Sequence, residues 1–445
     1  MQISRPLSWL LRRLDAFRFW CVMALLISSR PGLEAPGPST AGLDVVCIPD
    51  MDWNYPVWTN RQQVMSRLPV LDETVRVLYV SPPRWLVRRD DSGGRGRHRQ
   101  VPTLARLLTV RRLSERLWVA DCALPVPNRM LRRAWPGMYA AFIEAATEIA
   151  RRRLGFTDPV LWLYDPTAGG IAKRIPHRLV CYDVVDDYPT LPFYRRIAPD
   201  VQARHISLLN DADIVFTTTS RIVEAYGAAG AHAVGNAADV NLFAQTRAEI
   251  DTAAELAAMR RPLIGFHGTL SSHKLDVDLV RDLAEAQPDW TFVLVGPVTD
   301  AAISDAIGRL DNVHLLGRRA PEQLPPILAS LDAAFIPYRI TDYTKGIDAL
   351  KAYEYLAAGV PVVATALPCF QGRPDQIAVG RDTAEFKRLL AAIVSGAVPG
   401  APLPLDELTG VSWDAKARRM LDIVRAALAD TTPAAPSTPV VKVPA

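Results

Sequence analysis

Lys351 and Glu354 stand three residues apart in KGIDALKAYEYLAAGVPVVA, Lys345 to Ala364. Apolar Leu350, Tyr353, Leu356 and Ala357 recur at three- and four-residue spacing, which predicts a helix over Asp348–Ala358 with one buried face. Gly359 stops it, and Pro361 leads into a strand of Val362, Val363 and Ala364. Lys351, Glu354 and Tyr355 fall off the apolar stripe. A helix start aimed from a strand-edge loop offers unpaired N–H groups and a positive dipole end, which suits a phosphate or sugar hydroxyls. The plainer alternative is an ordinary helix–strand unit with Lys351 and Glu354 on a solvated face. A second cluster is acidic. The hydrophobic run LVCYDVVDDY, Leu179 to Tyr188, delivers Asp183, Asp186 and Asp187 into one loop. Crowded like charges are costly unless they are solvated or put to use. Helix capping ahead of Pro189 is the alternative.

Strands and helices alternate around both clusters. A strand over Leu43–Ile48, the loop PDMDWNYPVWTN, a helix from Asn60 and a strand over Val75–Val80 make a βαβ opening, hence a parallel sheet. Leu107–Arg111 and Leu117–Cys122 read as a hairpin, Asn128–Arg153 as a long helix and Val160–Tyr164 as a buried strand. A helix over Asp200–Asn210, a strand over Asp213–Thr217 and a helix from Ser220 follow. An Ala-rich linker helix, Glu249–Arg260, leads to a second alternation: strand Leu263–His267, loop Gly268–His273, helix Lys274–Ala286, and strands at Phe292–Val295, Val313–Leu315 and Ala333–Pro337. The expected fold class is α/β, with two Rossmann-like doubly wound domains facing a central cleft at residues 41–246 and 247–410. Loops at the carboxyl ends of the strands then face that crevice. Trp53 and Trp58 in the first such loop can stack on a sugar, dip into lipid headgroups or simply pack. No GxGxxG is present, against a dinucleotide redox enzyme.

With 445 residues, 49% of them hydrophobic and 22% charged, the chain suits a soluble protein with two cores. Its five cysteines, Cys21, Cys47, Cys122, Cys181 and Cys369, show no CxxC spacing. Buried thiols in a reducing compartment are expected, without a disulfide framework or a metal site. The net charge of +4 hides an asymmetry: Arg84–Arg153 holds 16 Arg against 6 acids, a local +10 that leaves −6 elsewhere. Such a basic region suits an anionic membrane surface or an anionic acceptor, or is an Arg-rich solvated face. Residues 1–40 contain the apolar run Phe19–Ile27 behind Arg5, Arg12, Arg13 and Arg18, shorter than the ~20 residues of a spanning helix. A membrane-surface segment, a signal and a misplaced start all fit. Pro- and Ala-rich residues 431–445 read as a disordered tail.

KAYEYLAAGVPVV resembles the nucleotide-sugar signature of GT-B-fold glycosyltransferases, close to the bacterial family-4-like enzymes that build surface polysaccharides. The resemblance runs from Leu43 to Ala429. It implies that Glu354 contacts the donor's ribose. It sets GTLSSHKL against a Gly-Arg-Leu…Lys segment that holds the donor pyrophosphate, with Gly268 and Lys274 on matching positions and Thr269 where the Arg stands. Arg318, Arg319, Arg339, Lys345 or Lys351 can restore that charge. The family's second Glu falls at Gly346 here, where Lys351 stands in the nearby cleft. YDVVDD is similar to an acceptor-side run, so Asp186 or Asp187 is expected to orient or deprotonate an acceptor hydroxyl. Trp53, Trp58, Arg61, Gln62 and Gln63 match a Trp-rich loop entering an Arg-Gln-Gln helix. Gly235–Phe243 resembles the Asn-Gly-Val-Asp…Phe exit of the first domain, with Ala237 for the Gly. The helix Trp413–Ala429, in the segment 411–430, is expected to pack back across the first domain.

The resemblance implies sugar transfer from a nucleotide-sugar to a lipid-linked or polysaccharide acceptor in cell-surface glycan biosynthesis, with retention of configuration. No metal or cofactor is expected, because basic side chains and a helix N-terminus can stabilise the leaving diphosphate. The expected location is cytoplasmic, on the inner face of the cell membrane, and no nucleic-acid partner is expected. Two other readings stay open: a GT-B nucleotide-sugar epimerase, and a degenerate nucleotide-sugar- or glycan-binding subunit.

Overall fold

The computed structural model describes residues 42–55, 58–85, 108–124, 136–191, 194, 198–228, 230–247, 252–371, 377–397 and 404–430. The segments 1–40 and 431–445 singled out above lie outside the described residues. In chain order the first half runs β1 (Leu43–Ile48), α1 (Asn60–Leu71), β2 (Val75–Val80), β3 (Arg84–Trp85), β4 (Leu108–Ser114), β5 (Leu117–Leu124), α2 (Pro136–Arg153), β6 (Val160–Leu163), β7 (Leu179–Val184), α3 (Ala198–Asp211), β8 (Ile214–Thr217), α4 (Ser220–Tyr226) and β9 (His232–Ala233). Its sheet has the order β3-β5-β2-β1-β6-β7-β8-β9, with β4 antiparallel on β5 as the hairpin pattern anticipated. The central strands β1, β2, β6, β7 and β8 are almost wholly buried. A parallel sheet covered by helices on both faces demands that, which is why these strands read as continuous apolar runs.

The second half runs β10 (Leu263–His267), α5 (Val277–Ala286), β11 (Thr291–Val295), β12 (Val313–Gly317), β13 (Ala333–Ile336), α6 (Leu350–Ala358), β14 (Val362–Thr365), β15 (Ala378–Gly380), α7 (Thr383–Val394) and α8 (Trp413–Asp430). Its order is β12-β11-β10-β13-β14-β15, all parallel. This is a doubly wound sheet whose direction reverses between β10 and β13, and a crevice opens outside the carboxyl ends at that point. The first sheet reverses at β1, between β2 and β6. The α/β class and the paired Rossmann-like sheets are thus as expected.

The terminal helix α8 crosses back to the first domain. Ala417, Met420, Leu421 and Val424, at three- and four-residue spacing, join that domain's core. Arg67 pairs with Asp414 at 2.6 Å, and Arg425 pairs with Asp72, pinning α8 beside α1.

Three expectations shift. Helix α5 begins at Val277 instead of Lys274, because Asp276 caps it by accepting from the Leu279 N–H at 3.2 Å. The N–H groups of Lys274 and Leu275 turn back onto the Ser271 carbonyl, which leaves Lys274 in the loop. The linker helix is one turn, Ala254–Ala257, among the described residues. Trp53 is a core residue at 6% exposure, with its ring 5.0 Å from Tyr79. Cys47, Cys122 and Cys181 are buried thiols whose pKa burial pushes up.

At Gly296, directly after β11, φ is +147° and an added Cβ would lie 1.8 Å from the Gly268 carbonyl oxygen. Two strand-end loops touch there through backbone alone. Gly296→Ala is therefore expected to destabilise the fold by about 2–4 kcal/mol. Gly170→Ala, in a short helix where an added Cβ meets nothing within 4 Å, is expected to be neutral or to stabilise by up to about 1 kcal/mol. Chemical denaturation of both variants checks this, and a neutral Gly296→Ala would contradict the close approach.

Candidate active site

The carboxyl ends of both sheets border one cleft of about 310 Å³. Its second-domain wall includes the loops after β10, β11 and β12 and the start of α6. Helix α6 has Ala349 at its N-cap position with no side-chain cap, and Asp348 to Lys351 line the cleft. The first-turn N–H groups and the dipole's positive end therefore have no protein side chain satisfying them from the cap. Gly359, with φ +73°, ends the helix as the sequence predicted.

Lys351 and Glu354 do not form a solvated face. Every residue from Ala352 to Ala358 is buried, Glu354 included at 9% exposure, because α6 is enclosed on its polar side as well. The Lys351 Nζ lies 2.9 Å from Glu354 Oε2. The same oxygen is 3.4 Å from His267 Nε2, at the end of β10. Burial, with the Lys351 ammonium second, holds the His267 imidazole well below its ordinary pKa, so it is neutral. Tyr355 is fully buried, and its hydroxyl accepts from the His267 backbone N–H at 2.8 Å. Removing either member of a buried ion pair is costly, so Lys351 and Glu354 stand together. Gly268 brings the β10 loop against them: an added Cβ there would sit 3.3 Å from Lys351 Cε.

Lys274 lines the cleft with its ammonium 5.9 Å from the Tyr338 ring centre and 5.7 Å from that of Tyr343. No carboxylate pairs with it among the described residues. Thr269 lines the cleft as well, and so do Arg318 and Arg319. Arg319 is engaged by Glu255 at 2.7 Å. Arg339 and Lys345 pair with Asp278 and Asp342 outside the cleft lining, so they do not supply the charge missing at Thr269.

The first-domain wall centres on Arg61 and Asp186. Arg61 is buried, and its Nε and Nη2 each donate to Asp50 at 2.7 Å. The Arg61 Nη2 also lies 3.8 Å from Asp186 Oδ2. Burial raises the Asp186 carboxyl above its usual range, while Arg61 and Lys274 oppose the rise. The acidic trio separates. Asp187 is outside the cleft lining; its Oδ1 accepts from the Tyr226 hydroxyl at 2.6 Å, which holds the carboxylate toward α4. Asp183 is inside β7 at 1% exposure, with the Trp162 indole nitrogen 3.4 Å away, and never enters the loop. Asp50, Arg61 and His267 are the site members the sequence reading left unassigned. The strand-end rule could have found Asp50 and His267, since one follows β1 and the other ends β10.

The linker after β9 joins the two walls. The Asn236 N–H and Nδ2 donate to Asp348 Oδ2 and to the Asp348 carbonyl at 2.6 and 2.8 Å. Asn60 Nδ2 on α1 donates to Asn236 Oδ1 at 3.2 Å. The Tyr353 hydroxyl donates to the Asp348 carboxylate at 3.0 Å. From α8, the buried Lys416 Nζ donates to the Val234 and Gly235 carbonyls at 2.9 and 2.7 Å.

Residues 261–395 match the family described as glycosyl transferases group 1, so a domain of that family occupies the second half of the chain. A stretch of 139 residues, 31% of this chain, is 34% identical to Bacillus subtilis (strain 168) TuaH, provisionally named a teichuronic acid biosynthesis glycosyltransferase. The chain spans about a third, 34%, of the length of that curated relative. Among solved structures, a sucrose-phosphate synthase from Thermosynechococcus elongatus aligns with a TM-score of 0.66 at 14% identity, covering 88% of this chain and 100% of that one. Anabaena HepE, solved with UDP and glucose, gives 0.59 at 14% over 87% of this chain and 100% of its own. An α,α-trehalose 6-phosphate synthase from Burkholderia multivorans gives 0.59 at 13% over 88% and 100%. At these identities the likeness establishes the fold, which is GT-B.

The Lys416 ammonium carries a pH signature. Burial lowers its pKa from 10.5 to about 8, against the pull of Asp183 and Asp348. Between those values the unfolded chain holds the proton and the folded chain does not, so stability rises with pH across the window. The rise is up to about 3 kcal/mol, and below the folded pKa both states are charged and the dependence vanishes. Lys416→Met should lack this rise. Subtracting the two stability–pH curves, measured by denaturant unfolding, isolates it; parallel curves would show that the lysine titrates normally.

Proposed function

We propose that the chain is a glycosyltransferase that moves a sugar from a nucleotide-sugar, held on the second-domain wall, to a lipid-linked or polysaccharide acceptor on the first-domain wall, in cell-surface glycan biosynthesis. The observation that carries this reading is one cleft with two chemically different walls. One has an open helix N-terminus, Lys274 and the Lys351–Glu354 pair; the other has a partly buried carboxylate, Asp186, beside a locked arginine. Glu354 would accept hydrogen bonds from the donor's ribose. The α6 N–H groups, Lys274, Lys351 and the Gly268 loop would receive the diphosphate as negative charge develops on it, in a scheme that calls on no metal. Asp186 would orient or deprotonate the acceptor hydroxyl, and its raised pKa makes it the stronger base. UDP and glucose in the HepE structure, together with the name of TuaH, support a nucleoside diphosphate sugar and a cell-surface product. Retention of configuration follows the family resemblance, and the anomeric proton signals of the product test it.

Proximity of His267 to Glu354 in the cleft favours one second reading, nucleotide-sugar epimerisation. Incubation with a UDP-sugar alone separates the two, since a new sugar formed without acceptor would replace transfer by epimerisation.

A thermal-shift screen across nucleotide-sugars identifies the donor, because a ligand that binds only the folded state raises its stability by mass action. With that donor, Glu354→Gln should weaken binding by about 1.5–3 kcal/mol, the worth of hydrogen bonds to a charged group. Asp186→Asn should leave donor affinity unchanged and lower kcat by about 10²–10⁴. Calorimetry and initial rates read the two effects separately, and a kcat unmoved in Asp186→Asn would remove the carboxylate from the chemistry. In the parent enzyme, kcat should rise with pH as Asp186 ionises.

Attachment to the inner membrane face belongs to the same proposal. Among the described residues no helix is long and apolar enough to cross a membrane. The basic region and residues 1–40 predict two components: electrostatic attraction within a Debye length of about 8 Å, and a salt-insensitive apolar contact. Full-length protein should sediment with anionic vesicles and resist release by high salt, whereas a chain beginning at Leu43 should be released. Equal retention of both forms at high salt would rule out an N-terminal anchor.

A further inference from the structure

Trp58 has no part in the scheme above, yet it lines the same cleft and is 39% exposed. The other large hydrophobic side chains more than a third exposed among the described residues, such as Val70, Leu113 and Ile340, are not in that lining. Trp58 is also held. Its ring stands edge-on to Trp53 at 5.1 Å and 64°. Trp53 is itself fixed in the core, edge-on to Tyr79, with its backbone N–H donating to Ser81 Oγ at 3.2 Å. One indole of the pair is thus an anchor, and the other presents a rigid aromatic surface to the cleft. In the first turn of α1, Gln63 lines the cleft too. Its Oε1 accepts from Arg67 at 2.6 Å, and its Nε2 donates to no acceptor among the described residues.

We propose that Trp58 and Gln63 form the acceptor-sugar subsite, taking a hexopyranose ring. Such a ring has an apolar face of C–H groups, polarised positive by the neighbouring oxygens, and that face suits the negative π-face of an indole. Its hydroxyl rim needs donors beside that platform, which the Gln63 amide supplies. With the ring seated there, a further hydroxyl is presented toward Asp186 on the same wall. The subsite rests on the transferase reading and names what its acceptor must offer: a flat-faced sugar at the reacting end, whatever lipid or polymer lies behind it.

The test titrates cellotetraose, chitotetraose and tetragalacturonate by calorimetry into the full chain saturated with UDP. At least one should bind the parent protein. Trp58→Leu, which keeps an apolar contact with Trp53 and loses the flat face, should weaken it about tenfold. Trp58→Phe should keep most of the affinity, and Gln63→Ala should lose about three- to tenfold. UDP affinity should be the same in all. Thermal unfolding checks each variant, and Gln63→Ala decides the matter if Trp58→Leu does not fold. Absence of saccharide binding at about 10 mM, or equal binding by Trp58→Leu and parent, overturns the subsite. So does loss of anionic-vesicle binding in Trp58→Leu with saccharide binding intact, which would assign the indole to lipid. Failure of every nucleotide-sugar in the thermal-shift screen to bind would strike the transferase reading instead, and the saccharide titration run without nucleotide would still decide the subsite.

Discussion

Everything at the cleft depends on Asn236. A two-domain cleft has chemistry only if its walls keep a fixed relation, and the connection between them is a short length of linker. Asn236 reaches both sides: it accepts from Asn60 on α1 and donates twice to Asp348, the residue two before α6. Its two bonds to Asp348 therefore position the helix N-terminus that the donor's phosphates would meet. Lys416 holds the same linker from behind through two carbonyls. The first domain, the linker, α6 and the terminal helix meet at this point. The network is part-buried, and Asn60 Oδ1 has no partner among the described residues, so its hold comes from the bonds just named and not from full satisfaction. The tail helix can be read in the same light, since α8 supplies the lysine as well as core to the first domain.

The second domain's polar centre follows a related logic. Glu354 is buried and needs a cation, and Lys351 is the one that reaches it. A charged His267 would compete for that role, but burial keeps the imidazole neutral. The trio thus carries no net charge, and one carboxylate accepts from a single ammonium. It leaves lone pairs for hydroxyl donors from a ligand. Lys274, by contrast, has no acidic partner among the described residues and meets only aromatic rings. Its charge is met by the Asp186 carboxylate only at a distance, inside a partly enclosed space where electrostatic attraction is stronger than in water.

Much of this was legible in the sequence because parallel sheets write themselves plainly. Strands such as Val75–Val80 are buried on both faces and appear as unbroken apolar runs. The helix stop at Gly359 and the core stripe of α8 were equally open to reading. What was hidden has a common cause: contacts between residues far apart in the chain. The stripe on α6 marked Tyr355 and Glu354 as polar-side residues, but the polar side packs against the end of β10, so both are buried. Three aspartates in five positions looked like one cluster. The alternation of a strand sends Asp183 into the sheet, and Tyr226 from α4 claims Asp187, so only Asp186 is left to the cleft. Trp53 and Trp58 were indistinguishable by sequence, and packing against Tyr79 separates them.

The Arg-rich region gains a different meaning from its pairings. Arg84 and Arg111 converge on Asp121, Arg84 also on Asp52, and Arg151 and Arg152 share Glu148. Each of these contacts keeps the positive charge local; Arg151 is buried, and the exposed members are screened within a Debye length. The excess counted along the sequence thus overstates the field that these described arginines project. Inside the cleft the balance runs the other way. Arg61 is met by Asp50 and faces Asp186, one cation against two carboxylates, so the first wall carries no positive excess, whereas Lys274, Arg318 and the α6 N-terminus leave the second wall positive. A diphosphate would be drawn to one wall only. A neutral sugar face would meet no penalty at the other. That division of charge would sort an anionic ligand from a neutral one in the cleft without a contact specific to either.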